Sequence, residues 1–262
     1  MTPVEPRDAL DPSPAWPPGW TVIARQAVGS TNDEARTLAV GGAADRTIVW
    51  ADEQTGGRGR RGRAWASPPG NLYCSAILRP DCALAAAAEL GFVVALAVAE
   101  AVARIAPGLA GLGLKWPNDV LAGKRKLAGI LLESSGRADG RTDWVVVGCG
   151  VNLASHPRGA EYPATDLANE GIVGVKAADL LCAYLEALGG WLARWRRDGF
   201  PPVRGAWLDR AVGLGEAMTV RLDRETVPGR FVGLDEHGAL RLGLAEGGER
   251  RITAGDVFMG DG

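Results

Sequence analysis

A run of glycine and arginine from Gln54 to Trp65 (Q-T-G-G-R-G-R-R-G-R-A-W) lies between two predicted strands. Four glycines alternate with four arginines, and no acidic residue interrupts them. Glycine lets backbone N–H groups approach a ligand closely, and arginine presents a planar, charged fork that suits carboxylate and phosphate. The run has no apolar face to bury, so we predict a loop that stays mobile until an anionic ligand fills it.

The charge of the whole chain limits what this ligand is. The 262 residues include 29 Lys+Arg and 31 Asp+Glu, which gives a net charge of −2. Nucleic acid is usually bound by a strongly basic surface, so a local basic loop on a mildly acidic protein favours a small anionic ligand. The alternative is a nucleic-acid-binding module that uses Arg58 to Arg63. The position of the run between two predicted strands argues against that alternative.

Cysteine and histidine usage excludes several kinds of site. The chain has two histidines, and its four cysteines form no C-x-x-C pair: Cys74, Cys82, Cys149 and Cys182. This disfavours a zinc site and a His-based triad, and it indicates a reducing compartment. The N-terminus lacks the pattern of a signal peptide. The most apolar segment, Leu84 to Ala106, carries three charged residues, so we predict a buried helix, no membrane contact and a cytoplasmic protein.

Hydrophobic patterning predicts three regions. Residues 1–19 hold six prolines and are expected to be flexible. Residues 20–211 alternate predicted strands and helices, and a capping box Thr31-x-x-Glu34 is expected to begin the first helix. Residues 212–262 contain short strands typical of a small β-barrel.

A second polar cluster follows the predicted strand Leu112 to Trp116. A returning strand from Lys126 is expected to place Lys115, Asn118, Asp119 and Lys126 close together. These residue types suit phosphate, a nucleobase or ribose, and Mg²⁺. The alternative is a proline turn in which Asn118 and Asp119 bond their own backbone.

The glycines at 57, 59 and 62 match the dinucleotide fingerprint G-x-G-x-x-G. The proline-bearing segment Ser67 to Gly70 follows them, where that fingerprint requires a helix to hold a pyrophosphate. No G-x-x-x-x-G-K-[ST] sequence is present either. We therefore exclude Rossmann and P-loop nucleotide binding.

Five motifs, in order along the chain, together resemble biotin protein ligases. They are G-S-T-N at Gly29 to Asn32, E-Q-T-G-G-R-G-R-R-G-R-A-W at Glu53 to Trp65, K-W-P-N-D-V at Lys115 to Val120, K-L-A-G-I-L-L-E at Lys126 to Glu133 and V-G-C-G-V-N-L at Val147 to Leu153. The resemblance implies an α+β fold: a class II synthetase-like biotin/lipoate ligase catalytic domain over 20–211, with a mixed sheet flanked by helices, and a C-terminal SH3-like barrel over 212–262.

The resemblance also implies a two-step reaction with ATP and biotin as substrates. The biotin carboxylate attacks the α-phosphate of ATP, which gives biotinyl-5′-AMP and pyrophosphate, with Mg²⁺ accompanying ATP and no fixed protein metal site. A lysine of a biotin carboxyl carrier domain then attacks the mixed anhydride and releases AMP. Both partners of the first step are anionic, which explains an arginine-rich loop in an acidic protein.

Site residues follow from the matched motif positions. Biotin-contacting positions are matched by Ser30, Thr31, Asn32, Gln54, Arg58, Gly59, Arg60, Lys126, Gly129, Gly148 and Gly150. Nucleotide-side positions are matched by Trp65, Lys115, Asn118, Asp119 and Asn152. The implied catalytic residues are Lys126, beside the biotin carboxylate and α-phosphate, and Arg60, in the loop that folds over the adenylate. At Gly129, Gly148 and Gly150 a side chain is expected to collide with ligand.

The resemblance also bears on DNA binding, on oligomeric state and on the nearest alternative activity. Some members of the family carry an N-terminal DNA-binding domain; because residues 1–19 precede the first predicted strand, we expect the enzyme-only form and no DNA binding. Monomer and homodimer both remain open. Lipoate protein ligase, which shares the fold and the acyl-adenylate chemistry, is the nearest alternative activity, and the Gly/Arg run and K-W-P-N-D favour biotin.

Overall fold

The computed structural model describes residues 15–259. Within the predicted flexible segment 1–19, residues 1–14 lie outside the described part. Trp16 packs edge-on against Trp50, with ring centroids 5.9 Å apart. Trp16, within the predicted lead-in, therefore packs against the core.

Seven strands form one mixed sheet, in the order β1-β2-β3-β7-β6-β5-β4. They are β1 (Thr21–Val28), β2 (Thr47–Gln54), β3 (Leu72–Leu78), β4 (Leu112–Lys115), β5 (Asp119–Ala122), β6 (Arg125–Gly136) and β7 (Thr142–Val151). The pair β1·β2 is parallel, and every other neighbouring pair in this sheet is antiparallel. β7 is nearly continuous in apolar residues because helices cover both faces of the sheet.

Four α-helices flank this sheet: α1 (Thr31–Val40), α2 (Glu89–Ile105), α3 (Ala177–Asp198) and α4 (Pro201–Leu208). α1 packs on β2, β3 and β7, while α2 and α3 pack together on the opposite side. The apolar helical stretch Leu84–Ile105 has the length and composition of a membrane span, but 67% of its most apolar 18-residue window is buried inside the fold. The predicted buried helix is therefore a core helix.

Five short strands form a second, wholly antiparallel sheet, in the order β11-β10-β9-β8-β12. They are β8 (Ala217–Arg221), β9 (Thr226–Leu234), β10 (Leu240–Gly243), β11 (Glu249–Ile252) and β12 (Asp256–Met259). The predicted α+β class, with a mixed sheet and a small C-terminal β-unit, is confirmed. A boundary between residues 211 and 212 stays a prediction.

Aromatic side chains join the C-terminal sheet to the larger unit. Trp207 of α4 lies edge-on to Phe92 of α2 and to Phe231 of β9, with centroids 5.5 and 6.5 Å apart. Trp116 Nε1 donates a hydrogen bond of 3.0 Å to the carbonyl of Gly238 in the β9–β10 turn. Gly238 has φ +83°, and a Cβ there would lie 2.6 Å from the Phe92 ring, so this turn requires glycine.

Two local predictions are wrong. The capping box is absent: Ser30 precedes α1 without a side-chain cap, Thr31 Oγ1 bonds Gln54, and Glu34 pairs with Arg25 at 2.8 Å. The hydroxyls at this helix start are buried against β2, where tertiary partners replace the local cap. Strand β5 also lies where the sequence predicted only a connection between the strand from Leu112 and the returning strand from Lys126, because four residues between two turns are too few to show a strand period.

Candidate active site

A cleft of about 1310 Å³, part of it open to solvent, lies between the larger sheet, β12 and residues 54–65, here called the Gly/Arg loop. All sixteen residues predicted from the sequence line this one cleft. They come from the start of α1, from β2, the loop, β4, β5, β6 and β7. Side chains more than 100 positions apart in sequence are thereby brought to a common space.

One end of the cleft is a network of neutral polar side chains. Gln54 Oε1 accepts hydrogen bonds from Thr31 N at 2.8 Å and Thr31 Oγ1 at 3.0 Å. Gln54 Nε2 donates to Ser67 Oγ at 2.9 Å. Asn32 lies beside Thr31, and both are nearly fully buried. This end can therefore bind an uncharged group that both donates and accepts hydrogen bonds.

The glycines at 148 and 150 make room for protein side chains. A Cβ at Gly148 would lie 2.1 Å from Asn32 Oδ1, and a Cβ at Gly150 would lie 2.5 Å from Trp65 Nε1. At Gly129 a Cβ would meet Trp65 and Lys126, at 3.0 and 3.1 Å. A side chain at any of these glycines would therefore meet the residues that form the wall of the cleft, while the expected collision with ligand stays a prediction.

Two lysines and a carboxylate occupy the middle of the cleft. Lys126 Nζ lies 2.6 Å from Asp119 Oδ1, and Lys115 Nζ lies 3.5 Å from Asp119 Oδ2. Lys115 Nζ also lies 3.7 Å above the ring of Tyr162. Burial lowers the pKa of Lys115, an effect that the charge of Asp119 opposes. Since Asp119 neutralises one of two cations, this centre retains positive charge for an anionic ligand.

The side-chain amides of Asn118 and Asn152 hold neighbouring backbone. Asn118 Nδ2 donates to the Ile130 carbonyl at 2.6 Å, and Asn152 Nδ2 donates to the Thr165 carbonyl at 2.9 Å. The proline-turn alternative, in which Asn118 and Asp119 bond their own backbone, is not what the structure has. Both amides instead brace the segments that surround the cleft.

The Gly/Arg loop is folded over the cleft. Arg60 donates to Asn118 Oδ1 at 3.3 Å and to the Gly255 carbonyl at 3.2 Å. Burial lowers the pKa of Arg60, yet an arginine remains charged at neutral pH because its ordinary pKa is so high. Arg58 pairs with Asp33 at 2.5 Å. The loop therefore has polar partners within the protein that the sequence did not reveal, while its mobility without ligand stays a prediction.

Asp256 of β12 forms ion pairs with the other two arginines of the loop. Arg63 lies 2.6 Å and Arg61 3.3 Å from its carboxylate oxygens. Burial alone raises the pKa of Asp256, but the hydrogen bond and charge of Arg63, with the charges of Arg61 and Arg60, lower it overall. The C-terminal sheet thus supplies an anion that holds the loop closed.

Sequence reasoning missed several residues of the cleft. Asp256, Val257 and Phe258 come from the C-terminal sheet, and Glu161 and Tyr162 come from the loop after β7. None of them belongs to a motif, and their contribution depends on contacts far along the chain. Ser75, which lies beneath the cleft, did carry a signal: it is a polar residue in the otherwise apolar strand L-Y-C-S-A-I-L.

Asp256→Asn is expected to open the Gly/Arg loop. The variant removes the charge that Arg61 and Arg63 share, which should stabilise the open loop relative to the closed loop by about 1 kcal/mol. Trypsin should therefore cut the loop about fivefold faster than in the wild type. Asp223→Asn is the matched control, because Asp223 pairs with Arg61 alone and is 84% exposed. Equal cleavage rates for the two variants would contradict this assignment.

The same contact has a defined pH dependence. A carboxylate whose pKa is lowered by folding contributes fully above the ordinary Asp pKa of about 3.9 and loses its contribution as pH falls through the folded-state pKa. The loop contact of Asp256 is therefore complete at the pH of the trypsin assay and weakens only in acid below that ordinary value.

Gly150→Ala is expected to displace Trp65, because the new Cβ occupies the position of the indole edge. If Trp65 lies on the nucleotide side, as the family resemblance implies, the KM for ATP should rise about tenfold or more. Tryptophan fluorescence and nucleotide titration would measure both effects. Gly205→Ala in α4 is the control, since a Cβ at that position would have no neighbouring atom within 4 Å. A normal KM for ATP in Gly150→Ala would contradict the placement of Trp65 on the nucleotide side.

Comparison with known families agrees with this geometry. The biotin/lipoate A/B protein ligase family matches residues 22–152, and the biotin protein ligase C-terminal domain matches residues 213–260. These two matches cover the strands that line the cleft and the C-terminal sheet.

Individual relatives are similar along nearly the whole chain. A biotin--[acetyl-CoA-carboxylase] ligase of Paracoccus denitrificans is 43% identical over 88% of this chain and 97% of its own length. The bifunctional ligase/repressor of Bacillus subtilis is 32% identical over 92% of this chain and 75% of its own length. The biotin protein ligase of Aquifex aeolicus in complex with biotin and ATP superposes with a TM-score of 0.79, at 29% identity, over 92% of this chain and 99% of that chain.

Proposed function

The chain belongs to the biotin/lipoate A/B protein ligase family and is an ATP-dependent biotin protein ligase, and from this premise we propose how its residues divide the work. The proposal rests on the order of polar, cationic and aromatic groups along the cleft. A neutral polar network leads to a cationic centre, and the indole of Trp65 lies beside that centre. Biotin and ATP present the same order: a urea ring, a carboxylate next to phosphate, and a purine.

Lys126 and Arg60 carry the first step in this proposal. The biotin carboxylate oxygen bonds to the α-phosphorus, and the bond to pyrophosphate breaks with its electrons leaving on the pyrophosphate. Lys126 neutralises the two anions as they approach, and Lys115 adds a second positive charge close by. Arg60 holds the loop over the product by its contacts with Asn118 and Gly255. The closed loop keeps water from the anhydride.

The remaining predicted residues bind the two substrates. Ser30, Thr31, Asn32 and Gln54 bind the urea ring, and Arg58 and Gly59 bring loop backbone to biotin. Trp65, Asn118 and Asn152 form the nucleotide side. In the second step the amine of a carrier lysine attacks the carbonyl carbon, AMP leaves with the bonding electrons, and the amine loses its proton. The acceptor is a biotin carboxyl carrier domain of a carboxylase.

Mg²⁺ enters with ATP in this proposal. Among residues 15–259 no group of three or more His, Cys, Asp or Glu is placed to hold a metal ion. Asp119 lies in the cleft, but two lysines already neutralise it. Mg²⁺ carried by ATP would supply neutralisation of phosphate charge during the displacement.

We also propose that the enzyme acts in the cytoplasm and without DNA. The net charge of −2 gives no overall attraction to a polyanion. The Paracoccus relative, matched over 97% of its length, is named as a ligase alone. A sedimentation experiment would measure directly whether the enzyme is a monomer or a homodimer.

The acid substrate is tested by ATP–pyrophosphate exchange. Biotin should support exchange that requires Mg²⁺, and lipoate should not. Exchange with lipoate and none with biotin would reassign the enzyme to lipoate protein ligase while keeping the fold. Binding of Mn²⁺ to the protein without ATP would contradict the proposed route of the metal.

A further inference from the structure

Ser75 is a fully buried hydroxyl beneath the polar end of the cleft. It is 0% exposed and lies on β3, opposite Gly148 of β7. Its Oγ is 2.8 Å from Thr31 Oγ1 and 2.6 Å from Asn32 Oδ1. Ser75 does not line the cleft, so it can affect a ligand there only through these two neighbours.

The direction of the hydrogen bonds around Ser75 can be worked out proton by proton. Thr31 Oγ1 donates its own proton to Gln54 Oε1, which also accepts from Thr31 N, so both lone pairs of Oε1 are used. Ser75 has one proton to share between Thr31 Oγ1 and Asn32 Oδ1. These two oxygens have two lone pairs each, so the single Ser75 proton leaves each of them with at least one lone pair that Ser75 does not use.

Glu133 of β6 fixes the orientation of the Asn32 amide. Asn32 Nδ2 donates to Glu133 Oε2 at 2.9 Å and also lies 3.4 Å from the Leu131 carbonyl. A flipped amide would place its oxygen against the Glu133 carboxylate, which only accepts hydrogen bonds. Asn32 Oδ1 therefore faces Ser75 and the cleft, and both protons of Nδ2 point away toward β6.

We infer that Ser75 and Glu133 are positioning residues that make this end of the cleft an acceptor for N–H groups, and so select a cyclic urea over an apolar ring. Thr31 and Asn32 present acceptor oxygens, and the second proton of Gln54 Nε2, for which the described residues supply no acceptor, remains for a carbonyl. A cyclic urea offers N–H donors flanking one carbonyl oxygen. A dithiolane offers neither, and would leave these buried groups unpaired.

This inference rests on the proposed function, because Thr31 and Asn32 must contact the substrate ring. The ligand chemistry that it selects is shared by biotin and desthiobiotin, which keeps the urea ring and lacks the sulfur-containing ring. Both acids should therefore depend on Ser75 to the same extent.

The test compares Ser75→Ala with Ser134→Ala, an exposed serine on β6 that serves as control. In ATP–pyrophosphate exchange, Ser75→Ala should raise the KM for biotin and for desthiobiotin about 10- to 100-fold, as expected when a buried acceptor loses its donor. The kcat and the KM for ATP should stay near wild-type values, because the lost contact acts on binding of the ring. Ser134→Ala should match the wild type.

Glu133→Gln gives an independent second variant, since Glu133 is only partly buried and the change is nearly isosteric. A glutamine amide no longer forbids the flipped Asn32, so the KM for biotin should again rise while the KM for ATP stays near the wild-type value. Equal changes in the KM for biotin and for ATP would show a merely structural role and overturn the inference. An unchanged KM for biotin in both variants would also overturn it. Wild-type exchange with biotin would show in either case that the proposed function stands.

Discussion

Lys126→Met is expected to slow adenylate formation about 10²- to 10³-fold, the usual effect of removing one group that stabilises developing negative charge. Lys126 Nζ lies at the cationic centre, 2.6 Å from Asp119 and 5.2 Å from the centroid of the Trp65 ring. Without Lys126, the biotin carboxylate and the α-phosphate must approach a centre that holds only Lys115 and the carboxylate of Asp119. The KM for biotin should change less than the rate, because the contact strengthens as charge develops.

Single-turnover release of pyrophosphate measures this effect. Lys124→Met is the matched control, because Lys124 is exposed in the turn before β6. The double variant Lys126→Met with Asp119→Asn should recover part of the loss, about tenfold, since it removes the carboxylate that Lys126 had neutralised. An unchanged rate in Lys126→Met would remove Lys126 from the chemistry. No recovery in the double variant would mean that Asp119 does not oppose the substrates.

Arg60→Ala is expected to release the adenylate rather than to abolish its formation. Arg60 bridges the loop to Asn118 on one side and to the Gly255 carbonyl on the other. Losing hydrogen bonds of a charged group costs about 1.5–3 kcal/mol, so biotinyl-5′-AMP should dissociate about 10- to 100-fold faster. The free anhydride then acylates amines without selection, and an unrelated lysine-rich protein added to the assay should become labelled.

Rapid filtration of enzyme with labelled adenylate measures the release rate. Arg197→Ala is the control, because Arg197 is exposed at the end of α3 and pairs with Asp198, far from the loop in sequence. Retention of adenylate by Arg60→Ala, with no labelling of the added protein, would show that the bridge from Arg60 does not hold the loop over the product.

The cluster of polar motif residues was predictable because its signals are local. Lys115, Asn118, Asp119 and Lys126 fall at a strand end and a turn, and the pattern alone predicted that they converge. The fold class was predictable for the same reason, since strand and helix periods are read over short windows. Motifs spaced along the chain then agreed with one family.

The partners of the loop arginines were not predictable. Arg61 and Asp256 are 195 positions apart, and no local pattern links them. The expectation that the loop is mobile without ligand followed from its composition, which reveals charge but not where the opposite charge will fold. The capping box failed in the same way, because burial gave Thr31 a tertiary partner in Gln54.

The glycines of β7 show how much a motif leaves undetermined. The family resemblance marked Gly148 and Gly150 as positions where a side chain would collide with ligand. The structure shows that the approaching groups are Asn32 and Trp65, which themselves shape the cleft. A sequence shows which positions lack a side chain, and only the folded structure shows which groups occupy the space beside those positions.

The most direct test of the central claim is transfer of labelled biotin to a purified biotin carboxyl carrier domain, with and without ATP·Mg²⁺. We predict ATP-dependent labelling of one carrier lysine, absent when that lysine is replaced by arginine and nearly absent with the Lys126→Met enzyme. Labelling without ATP would contradict the adenylate mechanism. No transfer of biotin by the wild-type enzyme, beside transfer of lipoate to a lipoyl domain, would contradict the account of the substrate.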